Sequence, residues 1–388
     1  MSHAIKLFTP IELRSVRLNN RIAVSPMAMY MAQEGMVNDF HMVHYGKFAM
    51  GGAGIIFVEE TAISREARIT NGCLGLWNDA QEQAFVKLTQ LIKQLGSVSC
   101  LQIAHCGRKG SAQRAWEGNS FLTKENFEAG DEAWVPKAAS PVPFAEGWTT
   151  PIEMNKKDMD EVLEGFVHSA LRAIRAGFDA IELHMAHGYL LQGFLSPLAN
   201  TRTDQYGGER ENRMRFPLEV VEAVRTALPD GVPLFVRISA TDWIDGGWSM
   251  EDSIHLAQRL KQLGVDVIDC SSGGNMAGGA TNANISRGPG YQVPFSRDIR
   301  HEVEIKTQAV GLIRTAQQAE DILQAGDADL IAIGRQMLVN PFWALHAADY
   351  FQLTGSFGAW PKPYGWWLNK WANGLRTDGE EVTLHGWH

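Results

Sequence analysis

The sequence predicts a single (β/α)8 barrel. Short apolar runs rich in Val, Ile and Phe recur along the 388 residues, and most are followed by a polar or glycine-rich loop and then a helical pattern. Near-continuous apolar strands that alternate with helices indicate a parallel sheet covered on its faces. Eight such units within about 330 residues suit a barrel, which usually needs about 250 residues plus insertions. The alternative is a doubly wound sheet, but no GxGxxG pattern follows the first strand.

Eight strands are predicted in chain order. In one-letter code they are RIAVSP, GIIFVEE, SCLQIAH, FDAIELH, PLFVRIS, VDVIDCSS, AVGLI and DLIAIGR. Amphipathic stretches lie between several of them, such as AQEQAFVKLTQLIKQLG, EVLEGFVHSALRAIRAG and AQQAEDILQAG. Each of these stretches ends on a glycine, which is a helix-stop signal. The strands and helices therefore alternate as a barrel requires.

Three segments depart from the bare repeat. Residues 7–21 alternate apolar and polar around a turn, which predicts a hairpin capping the bottom of the barrel. Residues 109–150, rich in Gly, Trp and Pro, predict a long loop after strand three, of the kind that can form a lid. We assign residues 1–350 to the barrel and residues 351–388 to a C-terminal extension. Its many tryptophans predict packing against the barrel or a neighbouring subunit.

The composition narrows the classes of function. The formal net charge of -9 argues against a nucleic-acid partner, since phosphate binding favours a basic surface. The four cysteines are scattered without a CxxC pair, so neither zinc nor an iron–sulfur cluster is indicated. Neither a signal peptide nor an apolar run long enough to span a membrane is visible. We therefore expect a soluble cytoplasmic protein.

The stretch IELHMAHGYL covers the end of strand four and the turn after it. Active-site residues of such barrels come from strand ends. In this stretch His184, His187 and Tyr189 fit, from spacing alone, a metal site, an acid–base centre, an anion clamp or ordinary packing. No third metal ligand stands at a recognisable spacing. Residues three apart face opposite sides of a strand, so both histidines enter one pocket only if the strand ends near His184. A turn through Ala186 and Gly188 would allow this.

Small residues end the last two strands. Gly311 follows strand seven, and Gly334 and Arg335 follow strand eight. Glycines at these two turns expose backbone N–H groups beside a helix start, which is the usual phosphate cradle of these barrels. The placement indicates a cofactor that carries a phosphate.

Four basic residues are given structural roles. His41 and His44 lie on a predicted helix and are interpreted as structural. Arg108 and Lys109 follow strand three, and a solvated basic loop is favoured over contact with an NADPH phosphate.

The segments SPMAMY, HMVHYGKFA, LQIAHCGRKG, VRISATDW, LIAIGRQMLVNP and above all HMAHGYLLQGFLSPLANTRTDQYGG together resemble the Old Yellow Enzyme family of FMN-dependent ene-reductases. More narrowly they resemble its bacterial, thermophilic-like branch, whose members often carry a C-terminal tail that completes a partner's site. The resemblance runs from about residue 7 to about residue 341. Longer relatives with an iron–sulfur cluster carry a cysteine motif that is absent from this sequence.

The resemblance implies a role for each matched residue. His184 and His187 would donate hydrogen bonds to a carbonyl or nitro oxygen of the substrate, and Tyr189 would protonate its α carbon. Tyr30 would lie beside the substrate. The implied FMN contacts are Pro26, Met27 and Ala28 at the isoalloxazine, Gln102 and Arg237 at the pyrimidine edge and ribityl region, and Gly311, Gly334 and Arg335 at the phosphate.

Two cofactor-contacting positions depart from the branch. Ala28 stands where a cysteine commonly lies near flavin N5, so the redox behaviour of cysteine-bearing relatives does not carry over. Glu60 stands where a small residue usually presents its backbone N–H to flavin N5 and O4. A Glu60 side chain that points toward the flavin would disfavour the anionic reduced flavin or attract a cationic substrate, and one that points into the loop would do neither. Together the two positions predict a specialised substrate.

The expected function is reduction of the C=C bond of α,β-unsaturated carbonyl or nitro compounds, with non-covalent FMN and with NADPH or NADH as reductant. The alternatives are a flavin-dependent desaturation of a ketone or cyclic substrate, a flavin redox module with little turnover, and a metal-dependent barrel hydrolase. The expected partners are a small-molecule substrate and further copies of the chain in a homodimer or homotetramer, with no nucleic acid and no membrane.

Overall fold

The computed structural model describes residues 4–276, 285, 287–354 and 357–377. The first two strands, β1 (Ile11–Leu13) and β2 (Val16–Leu18), pair antiparallel in a hairpin. Its turn contains Arg14 in the left-handed region, with a φ of 51°. The hairpin predicted from residues 7–21 is confirmed.

Eight parallel strands form the barrel. They are β3 (Ile22–Val24), β4 (Ile55–Ala62), β6 (Val98–Ala104), β9 (Ala180–Met185), β10 (Leu234–Ser239), β11 (Val267–Ser271), β12 (Lys306–Ala309) and β13 (Leu330–Ile333). Each pairs with its neighbours in this order, and β3 pairs with both β4 and β13, which closes the sheet. The remaining strands are short. β5 (Leu74–Gly75) pairs parallel with the end of β4, and β7 (Lys137–Ala138) pairs with β8 (Ile152–Glu153). The predicted (β/α)8 barrel is confirmed.

Helices connect the strands, and several begin at side-chain caps. In chain order they are α1 (Asp39–Met50), α2 (Asp79–Gln94), α3 (Lys124–Glu128), α4 (Lys156–Arg175), α5 (Leu190–Leu195), α6 (Arg210–Ala227), α7 (Met250–Gln262), α8 (Val293–Val303), α9 (Ala316–Ala325), α10 (Arg335–Val339), α11 (Trp343–Tyr350) and α12 (Lys362–Thr377). Side-chain oxygens of Asn78, Asn155, Ser249 and Thr315 accept first-turn N–H groups of α2, α4, α7 and α9. Gly326, with a φ of 78°, ends α9.

One predicted strand is wrong. AVGLI was expected to form strand seven, but β12 lies mainly before it, at Lys306–Ala309. The apolar run leaves the sheet because Gly311 and Leu312 adopt φ values of 121° and 53°, which turn the chain. The strand itself was not predicted because its two central residues, Thr307 and Gln308, are polar although they are fully buried.

The lower layer of the barrel interior is apolar. We define it by Ala23, Ile55, Phe57, Cys100, Ala180, Phe235, Val267, Leu330 and Ala332, which form one cluster with the hairpin residues Ile11, Leu13 and Leu18. Phe57 and Phe235 meet edge to face, with ring centroids 5.2 Å apart. The hairpin therefore closes the end of the barrel where the strands begin.

The upper layer of the barrel interior is polar. We define it by Gln102, Glu182, Arg237, Asp269 and Gln308, all of which are buried. Four of these stand two residues beyond a lower-layer residue on the same strand, so they face the same side of the sheet. Gln102 Nε2 donates to Glu182 Oε1 at 2.9 Å, and Arg237 Nε lies 3.1 Å from Asp269 Oδ2. Burial raises the pKa of the Glu182 and Asp269 carboxyls, and the Arg237 guanidinium opposes that rise.

The long segment between β6 and α4 carries little regular structure, and the C-terminal extension exposes apolar side chains. Between β6 and α4 lie two of the three short 3-10 helices, α3 and the β7–β8 pair, consistent with the predicted long loop. In the C-terminal extension, α12 exposes Trp366 by 58% and Trp367 by 63%. Residues 378–388 of the extension lie outside the described part of the chain. Within the described part, no helix combines the length and the apolar character that crossing a membrane requires.

Candidate active site

The two histidines enter one pocket at the end of β9. His184 faces the barrel interior two residues beyond Glu182, and the strand ends one residue later, at Met185. His187 and Gly188 then adopt φ values of 61° and 75°, which reverse the chain. The imidazole rings of His184 and His187 come to lie 5.0 Å apart between centroids. The predicted strand end and turn are both confirmed.

Hydrogen bonds orient the two imidazoles. The Ala186 backbone N–H donates to His184 Nδ1 at 3.2 Å, so the proton of a neutral His184 ring lies on Nε2. His184 Nε2 is 3.3 Å from His187 Nδ1, and His187 Nε2 is 2.7 Å from Ser271 Oγ. Burial, reinforced by Arg237, holds the pKa of both histidines well below the usual value. Both rings are therefore neutral N–H donors.

Tyr189 begins the next element and packs on the same pair. It is the residue that precedes α5, and its ring meets His184 edge to face at 4.9 Å. Lys109 Nζ lies 4.9 Å from the centroid of the Tyr189 ring. Burial, followed by the nearby Tyr30 and Glu60, raises the pKa of Tyr189 well above its usual value. The phenol is therefore protonated at neutral pH.

The loop after β3 brings Tyr30 near Tyr189. Its residues Pro26, Met27, Ala28 and Tyr30 are all partly exposed, and Tyr30 packs with Tyr189 on one small apolar cluster. The backbone takes a left-handed turn at Tyr30, with a φ of 52°. Tyr30 therefore lies near Tyr189.

A buried carboxylate holds this loop in place. Glu59 Oε2 accepts the Met29 backbone N–H at 2.6 Å, and Glu59 Oε1 accepts the Tyr45 hydroxyl of α1 at 3.0 Å. Burial raises the pKa of Glu59 to about 7, although these hydrogen bonds oppose the rise. Glu59 thus joins β4, the loop after β3 and helix α1.

Glu60 points inward rather than into solvent. Val58 pairs with Leu101 and Thr61 with Ile103, so Glu59 and Glu60 together stand opposite the single residue Gln102. This irregularity is a β-bulge, which re-aims a side chain. The Glu60 residue is only 4% exposed, and its carboxyl raises the pKa of both Tyr30 and Tyr189.

The glycine turns after β12 and β13 share a cavity. A cavity of about 220 Å³ is lined by Tyr291, Gln292, Val310, Gly311, Leu312, Ile313, Arg314, Ala332, Gly334, Arg335, Gln336 and Val339. Gly311 is required there, since a Cβ at this position would lie 3.0 Å from the Gln292 Cβ and its φ is 121°. Gly334 precedes the first residue of α10, Arg335. The predicted phosphate residues are therefore brought together.

Comparison with known proteins identifies the family. The family model described as the NADH:flavin oxidoreductase / NADH oxidase family matches residues 6–353. The chain belongs to this family, the Old Yellow Enzyme family. It is 45% identical over 347 residues to the NADPH dehydrogenase of Bacillus subtilis strain 168, covering 89% of this chain and 95% of that protein.

Solved structures agree with the fold. Morphinone reductase in complex with tetrahydroNAD is 28% identical, with a TM-score of 0.69, covering 86% of this chain and 88% of that one. A 2-naphthoyl-CoA reductase complex has a TM-score of 0.77 at 22% identity. The chain spans only 52% of the length of that reductase, so this likeness concerns the barrel alone.

The protein is an FMN-dependent NAD(P)H oxidoreductase, and its residues fit the cofactor. Gly311 and Gly334 leave a cavity beside the Arg335 guanidinium that can take a phosphate. At the top of the upper layer, Gln102 and Arg237 offer amide and guanidinium donors suited to the polar edge of a flavin. Within the described residues, no group of three or more His, Cys, Asp or Glu side chains stands close enough to hold a metal ion.

Three polar residues contact His187 in a way that the sequence did not predict. Ser271 bonds His187 Nε2, and Ser239 Oγ accepts the His187 backbone N–H at 2.9 Å. Both follow the inward alternation, two residues beyond Asp269 and Arg237, so strand period could have found them. Lys109 Nζ donates to the carbonyls of His187 at 2.9 Å and Gly274 at 3.2 Å.

The expectation of a solvated basic loop at residues 108 and 109 is wrong. Arg108 is buried and donates to the backbone and side chain of Asn275 because the loops after β6 and β11 meet there. The expectation for the other two basic residues is confirmed. His41 and His44 are buried on α1, where burial lowers the pKa of His41 to about 4 and of His44 to about 3.

Proposed function

We propose that this oxidoreductase reduces the C=C bond of activated alkenes, namely α,β-unsaturated carbonyl and nitro compounds. The observation that carries the proposal is one pocket in which two neutral imidazoles adjoin a protonated phenol. When bound, FMN supplies a hydride from N5 to the β carbon of the alkene. The remaining steps fall to side chains of this chain.

His184 and His187 act as the donors for the activating oxygen. Hydride addition at the β carbon builds negative charge on the carbonyl or nitro oxygen, which two N–H donors stabilise as an oxyanion hole. The 3.3 Å contact between His184 Nε2 and His187 Nδ1 is long, so a substrate oxygen can compete for the His184 proton. Ser239 Oγ holds the His187 backbone N–H. A Ser271 hydroxyl that donates to His187 Nε2 leaves the His187 proton on Nδ1, on the side of His184 Nε2.

Tyr189 acts as the proton donor. The enolate formed by hydride addition needs a proton at its α carbon, and a phenol can give one without prior ionisation. Lys109 Nζ lies over the face of the Tyr189 ring, where a cation stabilises the phenolate left after transfer. Tyr30, which packs on the same apolar cluster as Tyr189, contacts the substrate beside it.

Anaerobic spectroscopy of the FMN-loaded enzyme tests the proposal. NADPH is expected to bleach the flavin band near about 450 nm, and 2-cyclohexenone is then expected to restore it with formation of cyclohexanone. Bleaching that only oxygen reverses would indicate a redox module instead. Cyclohexanone that bleaches the oxidised enzyme would indicate the desaturase direction. Failure of both expected steps at saturating FMN would overturn the proposed function.

We also propose that the protein works in the cytoplasm as a homodimer or homotetramer. The four cysteines are all free and buried, which suits a reducing compartment. On α12 the exposed indoles of Trp366, Trp367 and Trp371 form an apolar surface that a second copy would cover. Sedimentation of the wild type is expected to give a dimer or tetramer, and replacement of all three by Ser is expected to shift it toward monomer.

A further inference from the structure

Glu60 is buried without a hydrogen-bond partner. Neither carboxyl oxygen has a partner among the described residues, although the side chain is almost fully enclosed. The neighbouring Glu59 differs, because both of its oxygens accept hydrogen bonds. A buried polar group left unpaired costs about 1–3 kcal/mol, more for a charged one. The β-bulge therefore holds in place a carboxyl near which the described chain offers only the Cys73 thiol, a weak donor.

The groups around Glu60 are acidic or neutral. They are Glu59 on β4, Tyr30 after β3, Cys73 before β5, Cys106 after β6 and Tyr189 at the start of α5. Burial raises the pKa of Glu60 to about 8, Glu59 adds to the rise, and the Cys73 thiol partly offsets it. At pH 7 the carboxyl is therefore mostly uncharged.

Two cations near this cluster are already engaged. Lys109, over the Tyr189 ring, donates to the carbonyls of His187 and Gly274. Arg68 faces Cys73 and Cys106, donates through Nε to the Arg65 carbonyl at 2.8 Å and stacks on Trp134 at 5.1 Å. In the part of the chain that the structure describes, no lysine or arginine forms an ion pair with Glu60. A strong hydrogen-bond donor or a positive charge for this carboxyl would come from outside the described residues.

Resting on the proposed function, we propose that Glu60 selects substrates that carry a protonated amine in addition to the activated alkene. The activating oxygen lies on His184 and His187, and the amine N–H donates to a Glu60 oxygen across the pocket. On binding, the carboxyl gives up its proton to solvent and forms an ion pair with the ammonium group. A neutral substrate of the same shape leaves both oxygens unpaired and binds less tightly.

A pair of isosteric aldehydes tests the inference on the FMN-loaded enzyme. The probes are 4-(dimethylaminomethyl)benzaldehyde, which is cationic at pH 7, and 4-isobutylbenzaldehyde, which is neutral. Their dissociation constants are measured by calorimetry, which does not depend on flavin colour. The wild type is expected to bind the amine about ten- to a hundredfold more tightly than the neutral probe, as a charge-assisted hydrogen bond provides. Repeating the titration in buffers of different ionisation enthalpy is expected to reveal release of up to one proton.

The variants Glu60→Gln and Glu60→Ala are expected to lose both the preference and the proton release. Glu59→Gln is the matched control, since it removes a neighbouring carboxyl that is already bonded, and it is expected to keep the preference. Because the readout is the ratio of the two constants, an overall change in affinity does not disturb it.

Three outcomes would overturn the inference. The first is a wild type that binds the amine no more tightly than the neutral probe. The second is a Glu60→Gln variant with the same preference for the amine as the wild type. The third is a Glu60→Gln variant in which only the flavin potential shifts, which would assign the carboxyl to the cofactor. Its failure is distinguishable from failure of the proposed function. An enzyme that reduces 2-cyclohexenone but ignores the amine contradicts only this inference. An enzyme that prefers the amine through Glu60 but reduces no alkene contradicts the proposed function.

Discussion

Four strands supply residues to both the lower and the upper layer of the barrel interior, two positions apart, yet the lower layer is apolar and the upper layer polar. The lower layer is sealed by the β1–β2 hairpin and joins aromatic and aliphatic side chains in one cluster. The upper layer buries carboxyls, amides and a guanidinium, and the two histidines continue it toward the loops. Burying polar groups is unfavourable unless they are paired. The difference teaches that the strands' first residues supply stability and their last residues supply chemistry.

The largest expected effect is on the rate of alkene reduction, and it follows from a change at Tyr189, beside the histidines that continue the upper layer. Tyr189→Phe removes the proton donor while keeping the ring on His184. Stopped-flow spectroscopy is expected to show reoxidation by 2-cyclohexenone slowed by about 10²–10⁴, the usual contribution of a positioned acid. Reduction by NADPH, which needs no phenolic proton, is expected to change little. Equal slowing of both half-reactions would contradict the role given to Tyr189.

The next effect lies at the lower end. Phe57→Ala opens a cavity beside Phe235 and is expected to lower the free energy of unfolding by about 3–5 kcal/mol. Urea unfolding with excess FMN measures this loss, and the turnover number of the remaining folded enzyme is expected to stay unchanged. Phe57→Leu serves as control and is expected to lose less. A Phe57→Ala enzyme with normal stability and impaired turnover would reverse the division between the layers.

The third expected effect is the pH dependence of stability. The folded pKa of Glu60 is raised from 4.5 to about 8. Between these values the unfolded chain releases the proton first, so folded stability falls as pH rises, by up to about 1.4 kcal/mol per unit. Unfolding midpoints at pH 5, 6.5 and 8 are expected to fall less steeply for Glu60→Gln than for the wild type. Phe57→Leu is expected to keep the wild-type slope, and a Glu60→Gln slope equal to that of the wild type would refute the assignment.

The sequence predicted the barrel and the gathering of the site because both follow local rules. Strand period and barrel topology bring His184, Gln102 and Arg237 to one end, and the turn that admits His187 was visible in Gly188. The orientation of Glu60 was left open, since it depends on the bulge between β4 and β6. That bulge arises from pairing between strands distant in sequence.

Two other features were not predicted, each for its own reason. β12 buries Thr307 and Gln308, and a strand whose central residues are polar gives no apolar pattern in the sequence. Lys109 carries the ordinary pattern of a surface loop, but its amine reaches carbonyls of two other loops, at His187 and Gly274. Such contacts depend on how the loops after β6, β9 and β11 meet.

Isotope labelling in a single anaerobic turnover tests the central claim most directly. The enzyme is reduced with NADPH deuterated at the transferred position, or with unlabelled NADPH in D₂O, and then mixed with 2-cyclohexenone. The account predicts that deuterium from the nicotinamide reaches the β carbon and deuterium from solvent reaches the α carbon through Tyr189. Cyclohexanone without nicotinamide label at the β carbon, or no cyclohexanone at all, would contradict it.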